Sequence, residues 1–462
     1  MLHSTSHCLL GFINDYMLVF ASMENESKKY LLNVFGCQMN LSDAQRMRGI
    51  LNAEGYSETF VEEEADLILF NTCSVRQNAE QRLIGRVEAL SSLKRKNPAL
   101  IIGVGGCVGQ NKKSELLQQL PMLDLVFGPN DIETLPSLLK AAAKKPVSGA
   151  FRGEGHFDGE MADGIVLERP FSAMVSIIRG CTNFCAYCIV PYVRGPEVSR
   201  KKDELLAFIK DLADRGVKEI TLLGQNVNVY GKDLGYKEGF VSLLEEIEEI
   251  SGIKWVRFLT SHPRDFTEEA VKRIAQLSKV GKNFHLPVQA GADRVLRMMN
   301  RGYTREKYLK LIEIVKKHIQ DVSVTTDIIC GFPTETEKEF QETLSLVKQV
   351  RYESAFMYYY SPRPGTKAAE MDGHLSDEEK KERLARLIEV QNVISKEESA
   401  KQIGKVVEVL VDSKAARGDN HVAGRNLANR TVNFEGNESM VGTFQQVEIT
   451  EARNWTLSGR LI

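Results

Sequence analysis

Three closely spaced cysteines form the strongest chemical signal in this sequence. They lie in RGCTNFCAYC (179–188), where three residues separate Cys181 from Cys185 and two separate Cys185 from Cys188. One loop can therefore present three thiolates to three corners of a four-iron cluster, which ordinarily takes four cysteines. The fourth iron would stay open to another ligand. A zinc site is the alternative, but zinc ligands usually come in paired C-x-x-C or Cys/His spacings, and this loop contains no His.

Three more cysteines are spread through the first quarter of the chain. They come earlier in the chain and are called the first set, and Cys181, Cys185 and Cys188 are called the second set. Cys37, Cys73 and Cys107 each follow a short apolar segment that predicts a strand. Open α/β sheets assemble their sites at the carboxyl ends of parallel strands, so three adjacent strands could bring these thiolates together. The pattern predicts a second cluster with three protein ligands. The alternative is three unrelated small residues in loops.

Weaker candidates follow later predicted strands. Gly224, Gln225 and Asn226 could bind the amino-acid end of a cofactor, or they could form an ordinary turn between a strand and a helix. Gln289 could reach ribose hydroxyls or cap the next helix. Tyr187, between two of the clustered cysteines, is also expected to contact the cofactor.

Nearby aromatic and histidine side chains are expected to be structural. Tyr358–Tyr360, with Arg363, favour strand packing over a platform for stacked bases. His262 and His285 occur singly and are expected to have structural roles.

The elements that must position these residues are strands alternating with helices. In residues 28–145, YLLNVF (30–35), DLILFN (66–71) and LIIGVG (100–105) are continuous apolar runs, typical of a parallel sheet covered on both faces. A polar, glycine-rich linker is predicted over 146–166.

Residues 167–398 show a longer alternation with six predicted strands. Six βα units indicate a partial barrel rather than the full eight-stranded one. The strands are expected at 173–178, 219–224, 255–260, 283–288, 322–329 and 355–360, with helices that include Lys202–Arg215, Arg305–Gln320 and Ser376–Ala400.

The last segment, 399–462, consists of short alternating strands separated by Gly, Asn and Asp, which predicts a small closed β-barrel. The chain as a whole is therefore expected to be an α/β protein with three domains. Residues 1–27 are expected to be a disordered extension.

Composition limits the possible environments and partners. The 462 residues contain 60 Lys plus Arg against 62 Asp plus Glu, so a nucleic-acid surface must be a local patch.

Eight cysteines are too few for a disulfide scaffold, which favours metal chemistry in a reducing, cytoplasmic compartment. Cys8 and Cys330 are expected to be buried. The apolar segment Cys8–Phe20 is interrupted and too short to span a membrane, so no membrane association is expected.

From about residue 28 to its end, the chain resembles the methylthiotransferase family of radical S-adenosylmethionine (SAM) enzymes. Five local sequences are similar to the branch that modifies N6-dimethylallyladenosine in tRNA, immediately 3′ of the anticodon. They are FGCQMN (35–40), NTCSVR (71–76), CIVPYVRGPEVSR (188–200), HLPVQAG (285–291) and SPRPGT (361–366). The branch that acts on threonylcarbamoyladenosine typically carries LGCKVN at the first cysteine. The branch that acts on a ribosomal protein carries a sequence like LGCPKN there. After the second strand of the longer alternation, the glycine-rich motif reads GQN (224–226). The branch that modifies N6-dimethylallyladenosine tends to have GQN there, whereas the wider family generally has GGE.

The resemblance implies an activity and two four-iron clusters. Cys181, Cys185 and Cys188 would hold the [4Fe-4S] cluster that cleaves SAM to a radical, which removes hydrogen from C2 of the adenine. The cluster on Cys37, Cys73 and Cys107 would supply sulfur already methylated by a second SAM. No catalytic residue beyond the cluster ligands is assigned.

The resemblance also implies partners. The last domain would be a TRAM domain that binds RNA, with a basic face expected at Lys405, Lys414, Arg417, Arg425 and Arg430. A flavodoxin- or ferredoxin-type electron donor and an iron–sulfur carrier are further expected partners of a monomeric enzyme. Methylthiolation of threonylcarbamoyladenosine or of a ribosomal protein, and a non-catalytic iron–sulfur RNA-binding protein, are the alternatives.

Overall fold

The computed structural model describes residues 27–74, 77–153, 157, 164–415 and 420–462. Several predictions concern residues outside these ranges. They are the extension up to residue 26 with Cys8, the residues Val75 and Arg76, residues 154–156 and 158–163 of the linker, and Arg417.

A six-stranded parallel sheet forms the N-terminal part of the protein. Its strands are β1 (Lys29–Phe35), β2 (Ser57–Glu58), β3 (Leu67–Thr72), β4 (Ile101–Gly106), β5 (Leu125–Val126) and β6 (Val147–Ser148), in the order β2-β1-β3-β4-β5-β6. Its helices are α1 (Gln38–Ala53), α2 (Gln77–Ala89), α3 (Ser91–Lys96), α4 (Cys107–Lys112), α5 (Glu115–Gln119) and α6 (Leu135–Ala142). The three predicted strands are confirmed as β1, β3 and β4. The other three strands have two residues each, too few for a periodic pattern.

Apolar side chains cover both faces of this sheet, as its continuous apolar strands predict. In β3 every residue is buried. Leu83 and Val87 of α2 pack on one face, and Met47 and Leu51 of α1 pack on the other. This packing places β1, β3 and β4 side by side, with their carboxyl ends at one edge.

The central part of the protein is a partial barrel. Its strands are β7 (Ser172–Ser176), β8 (Ile178–Arg179), β9 (Val198–Ser199), β10 (Glu219–Leu223), β11 (Trp255–Phe258), β12 (Asn283–His285), β13 (Ser323–Cys330) and β14 (Ser354–Tyr359). Its helices are α7 (Val190–Arg194), α8 (Lys202–Asp214), α9 (Gly239–Glu248), α10 (Glu268–Ile274), α11 (Asp293–Met298), α12 (Arg305–His318) and α13 (Glu337–Val350).

Six parallel strands build the wall of this barrel, as the sequence predicts. Strands β7, β10 and β11 form one sheet and β12, β13 and β14 form another, and a parallel bridge between Val256 and Val280 continues the first toward the second. The remaining pair, β8 and β9, is a short antiparallel ladder.

Helix α14 (Asp377–Ala400) leads into a closed C-terminal barrel. Its strands are β15 (Val406–Lys414), β16 (His421–Asn426), β17 (Thr431–Glu435), β18 (Phe444–Ala452) and β19 (Thr456–Leu461), in the order β15-β16-β17-β19-β18. The predicted small barrel is confirmed. Strand β16 was not predicted, because HVAGRN has a glycine and few apolar residues.

Short 3-10 helices complete the described elements. They are Glu62–Glu64, Pro129–Thr134, Val227–Val229, Pro263–Asp265, Lys367–Glu370 and Glu438–Met440. Among the described helices, none is long and apolar enough to cross a membrane.

The C-terminal barrel packs on the outside of the central barrel through a small apolar cluster. Phe171 and Trp255 of the central part contact Leu410 of β15, and the ring of Trp255 meets that of Phe444 edge to face, with centroids 4.8 Å apart. This contact sets the two barrels side by side around a common cavity.

Candidate active site

A cavity of about 1500 Å³ opens between the three parts of the protein. The sulfur-bearing residues Cys37, Cys73, Cys107, Cys181, Cys185 and Cys188 all line it. The seven described cysteines, these six and Cys330, are free thiols. The two cysteine sets recognised in the sequence therefore share one space.

The loop that carries the second set begins with a backbone turn at Gly180. This residue has φ of 81°, and a Cβ there would lie 1.8 Å from the carbonyl oxygen of Pro196. The Gly180 amide donates to Oε1 of Gln225 (2.6 Å), and the Cys181 amide donates to the carbonyl of Gly195 (3.0 Å). The loop is thus fixed from both sides before the first thiol of the set.

Arg301 lies directly beside the loop, and the sequence analysis did not identify it. Its Nη1 is 3.3 Å from Sγ of Cys185, and its Nη2 donates to the carbonyl of Pro287 (2.8 Å). The side chain is almost completely buried. In the sequence, Arg301 stands in Asn300-Arg301-Gly302, after α11. An arginine before a glycine is too common to indicate a site.

Burial makes the thiols of this loop hard to ionise without a partner. Burial raises the pKa of Cys181 to about 11 and that of Cys188 to about 12. Thiolates at these positions require a strong positive charge, which coordinated metal ions supply. The donor set therefore fits an iron–sulfur cluster.

The first cysteine set lies at the ends of adjacent strands, as the sequence predicts. Cys37 caps the N-terminus of α1 after β1, and Cys107 is the first residue of α4 after β4. Cys73 follows β3, and its amide donates to the carbonyl of Phe35 (2.9 Å). Parallel strands thus deliver the three thiols to one edge of the sheet.

Arg194 joins the two cysteine sets electrostatically. It ends α7, immediately after the loop of the second set, yet its Nη2 donates to Oδ2 of Asp43 in α1 (2.8 Å). Both side chains are buried, and the guanidinium lies close enough to Cys37 and Cys107 to favour their thiolates. A cation from the central barrel therefore compensates negative charge at the first set.

The thiols of the first set differ in acidity. The pKa of Cys37 is lowered to about 6, mainly by the hydrogen bond from Cys73 and with help from Arg194, although burial opposes the shift. Burial raises the pKa of Cys107, and Arg194 opposes that shift. A preformed thiolate beside a buried guanidinium fits a metal cluster.

Among the described residues, no group of three or more His, Cys, Asp or Glu side chains is close enough to hold a single metal ion. A four-iron cluster has its ligands on separate irons, so its thiolates lie farther apart than those around one zinc ion.

Four of the five predicted cofactor residues line the cavity and one does not. Tyr187, Gly224, Gln225 and Gln289 line it, and Gln289 has φ of 71° and a buried Oε1 with no protein hydrogen-bond partner among the described residues. Asn226 is buried outside the lining, and its Nδ2 donates to Asp265 (2.7 Å). The position of Asn226 therefore does not support the predicted contact with the cofactor.

Both histidines line the cavity, but their contacts differ. His262 is buried, its Nδ1 accepts from the amide of Arg264, and burial lowers its pKa to about 2, in keeping with the expected structural role. His285 lines the cavity, with Nε2 at 3.5 Å from Oδ2 of Asp327.

The basic residues expected to face RNA are largely paired with acidic side chains. Lys405 contacts Asp321 and Arg430 contacts Glu353, each at 2.7 Å, while Arg425 contacts Asp412 at 2.8 Å. The first two pairs connect the C-terminal barrel to the central one. Their main structural effect is docking of the barrels, although Arg425 and Arg430 also line the cavity.

Family models match all three parts of the chain. The Radical SAM superfamily matches residues 175–347, the uncharacterized protein family UPF0004 matches residues 29–128, and the TRAM domain matches residues 400–462. A solved structure of the radical SAM methyltransferase TsrM from Kitasatospora setae shares the fold. Its TM-score is 0.54 with 14% identity, over 74% of each chain.

Curated relatives match nearly the whole chain. The tRNA-2-methylthio-N(6)-dimethylallyladenosine synthase of Thermoanaerobacter pseudethanolicus is 46% identical over 445 residues, which cover 95% of this chain and 94% of that protein. The enzyme of the same name from Carboxydothermus hydrogenoformans is 46% identical over 94% of this chain and 99% of its own. The chain therefore belongs to the family of tRNA-2-methylthio-N(6)-dimethylallyladenosine synthases.

Proposed function

We propose that this protein is a radical SAM methylthiotransferase that converts N6-dimethylallyladenosine at position 37 of tRNA to its 2-methylthio derivative. The observation that carries the proposal is the pair of three-cysteine sets facing one cavity. The relatives of the same architecture carry the name of this activity.

Two [4Fe-4S] clusters and SAM are the cofactors of this activity. Cys181, Cys185 and Cys188 would hold one cluster, and the other cysteine set would hold the second. When bound, the cluster at Cys181, Cys185 and Cys188 would supply the electron that cleaves SAM, and the cluster at Cys37, Cys73 and Cys107 would supply sulfur. The protein itself contributes binding, orientation and a favourable electrostatic environment.

Several residues of this chain prepare the cavity for these groups. Gln225 accepts from the Gly180 amide and so fixes the start of the cysteine loop. Gln289 has a buried Oε1 that a ligand hydroxyl could satisfy. Arg301 places a buried cation beside Cys185, where it stabilises negative charge. The position of Tyr187, Gly224, Gln225 and Gln289 in the cavity lining supports their role in cofactor binding.

The adenine must leave the base stack to reach such a site, because its C2 is inaccessible in a stacked anticodon loop. Residues of the C-terminal barrel border the same cavity, among them Asn429, Arg430 and Trp455. Trp455 is half exposed, and its ring offers a stacking surface for a neighbouring base. This arrangement supports entry of tRNA from the side of the C-terminal barrel.

Other expectations from the sequence remain predictions. These are the boundaries at 28–145, 146–166, 167–398 and 399–462, the electron donor and iron–sulfur carrier, the monomeric state and the cytoplasmic location.

The activity can be tested with anaerobically reconstituted protein, dithionite, SAM and tRNA carrying N6-dimethylallyladenosine. Mass spectrometry of the digested tRNA should show the 2-methylthio nucleoside, and 5′-deoxyadenosine should accumulate. Cleavage of SAM without the thiolated nucleoside would reject this substrate, and tRNA carrying threonylcarbamoyladenosine would be tested next.

A further inference from the structure

Strand β14 presents two large apolar side chains toward the cavity. Side chains alternate along a strand, so Phe356 and Tyr358 share one face, while Ala355, Met357 and Tyr359 share the other. The second face packs into the core of the central barrel. Phe356 and Tyr358 line the cavity, which Met357 and Tyr359 also border.

Contacts with neighbouring strands confirm this orientation. Phe356 pairs in register with Asp327 of β13, and Tyr358 pairs with Ile329. The Phe356 ring meets the ring of His285 on β12 edge to face, with centroids 6.0 Å apart. His285, Asp327 and Ile329 all line the cavity, so the Phe356 ring projects into the barrel interior.

These two aromatic residues remain unusually exposed for their position. Phe356 is 52% exposed and Tyr358 is 43% exposed, although they line a cavity between three parts of the protein. Large apolar surface left open inside a site usually marks the place of an apolar ligand group. The adjacent lining is polar, since His285 and Asp327 belong to it. The lining thus fits a ligand with a polar ring and a hydrocarbon arm.

We propose that Phe356 and Tyr358 form the wall that receives the dimethylallyl group of the substrate nucleoside and thereby select prenylated adenine. This inference rests on the proposed function. Tyr358 is expected from the sequence to serve strand packing, and its exposed position in the cavity adds a contact with the ligand to that role.

The experiment measures affinity for two anticodon stem-loop RNAs that differ only in the dimethylallyl group on the adenine. Binding of the reconstituted full-length protein is followed by fluorescence anisotropy at fixed salt. The wild-type protein should bind the prenylated RNA about tenfold more tightly, since even one methylene in an apolar pocket can be worth that factor. Phe356→Ala should reduce this ratio to about two.

A matched control separates this effect from general loss of an exposed aromatic residue. Phe60 is 87% exposed and does not line the cavity. Phe60→Ala should keep the wild-type ratio. Tyr358→Ala should lower the ratio, while Tyr358→Phe, which keeps the ring, should preserve it.

The ratio of two affinities on the same protein decides the proposal, because partial misfolding lowers both affinities together. If Phe356→Ala yields no folded protein, Phe356→Leu takes its place and should lower the ratio about threefold. An unchanged ratio in the folded variants, or equal binding of both RNAs by the wild-type protein, would overturn the inference. Failure of the proposed function would be recognised separately, as absence of 2-methylthio product from wild-type protein that cleaves SAM.

Discussion

At the residue scale, buried cations beside thiols distinguish this site from a chance grouping of cysteines. Arg194 lies by the first cysteine set and Arg301 lies by the second. Arg194 is paired with Asp43, and both guanidinium groups favour the thiolate form of the cysteines near them. Each set thus combines thiol ligands for a metal with a buried arginine that compensates their negative charge.

Replacement of Arg194 should selectively damage the cluster site at Cys37, Cys73 and Cys107. Arg194→Gln leaves Asp43 without its closest cationic partner and removes positive charge near Cys37 and Cys107. We expect a loss of about 3 kcal/mol in the free energy of unfolding. Reconstituted protein should hold about half the iron of the wild type, since one of two four-iron clusters is lost. Iron analysis and electron paramagnetic resonance of the reduced protein provide the measurement.

The control for this variant is Arg86→Gln, which removes a more exposed ion pair with Glu62 in the same N-terminal part. Exposed pairs contribute little, so stability should change by less than about 1 kcal/mol. Iron content should stay at the wild-type value. Full iron content in Arg194→Gln would contradict the role assigned to that residue.

Cys37 should react with alkylating agents at a lower pH than the other cluster thiols in protein without iron. Its pKa is lowered to about 6, so the thiolate predominates at pH 7 and is lost as the pH falls through 6. Cys181 and Cys188, with pKa values raised to about 11 and 12, should react only in alkaline solution. Peptide mass spectrometry after timed iodoacetamide treatment gives the rate at each site.

The Cys73→Ala variant tests the cause of this acidity. It removes the hydrogen bond that contributes most to the lowered pKa of Cys37. The pH of half-maximal alkylation should therefore rise. A Cys37 rate that increases only above about pH 8, as for an ordinary thiol, would contradict the assigned environment.

At the element scale, strand ends and tight turns position the thiols. The first set follows the adjacent strands β1, β3 and β4, and the second set follows the turn at Gly180 after β8. The positions of the six thiols therefore depend on the backbone conformation at these strand ends and at this turn.

Gly180→Ala should disrupt the cysteine loop. A Cβ would lie 1.8 Å from the carbonyl oxygen of Pro196, and the φ of 81° strains any side-chain-bearing residue. We expect a loss of at least about 2 kcal/mol in stability and loss of the cluster at Cys181. Iron content and SAM cleavage measure the outcome.

Gly85→Ala is the matched control, because Gly85 lies within α2 and a Cβ there meets no atom within 4 Å. Alanine favours helix, so this change should stabilise the protein by about 0.5–1 kcal/mol. Normal cluster binding by Gly180→Ala would show that the turn does not set the loop geometry.

Much of this element-scale organisation could be predicted from sequence. The long strands and helices have clear apolar periods, and the position of cysteines after three strands predicted their convergence. The positions of Arg194, Arg301 and Phe356 could not be predicted in this way, because each acts through a partner distant in sequence. Arg194 contacts Asp43 across 151 residues, and Arg301 contacts Cys185 across 116. Local periodicity carries no information about such pairs.

At the scale of the whole molecule, a buried arginine of the central barrel fastens the C-terminal barrel to it. Arg257 contacts Glu219, and its guanidinium also donates to the carbonyls of Asn426 (2.8 Å) and Leu427 (3.2 Å) in the C-terminal barrel. Glu219 is almost completely buried. The two barrels are therefore held in a fixed relation around the cavity.

Arg257→Leu should loosen this docking. It leaves Glu219 without its closest cation and removes the donors to two carbonyls, which should cost about 3–5 kcal/mol. Faster limited proteolysis near residue 400 and weaker binding of the anticodon stem-loop should follow. Lys405→Ala, which removes the more exposed pair with Asp321 at the same interface, should cost less than about 1 kcal/mol. Equal protease resistance of Arg257→Leu and the wild type would contradict the docking role.

The central claim is that both cysteine sets serve one reaction on one tRNA nucleoside. It is tested most directly by mass spectrometry of tRNA nucleosides from a host that lacks this methylthiolation and expresses the wild-type protein or either triple cysteine variant. The wild type should produce 2-methylthio-N6-dimethylallyladenosine, and both variants should leave N6-dimethylallyladenosine unconverted. Thiolated product from the variant of Cys37, Cys73 and Cys107, or none from the wild type, would contradict the account.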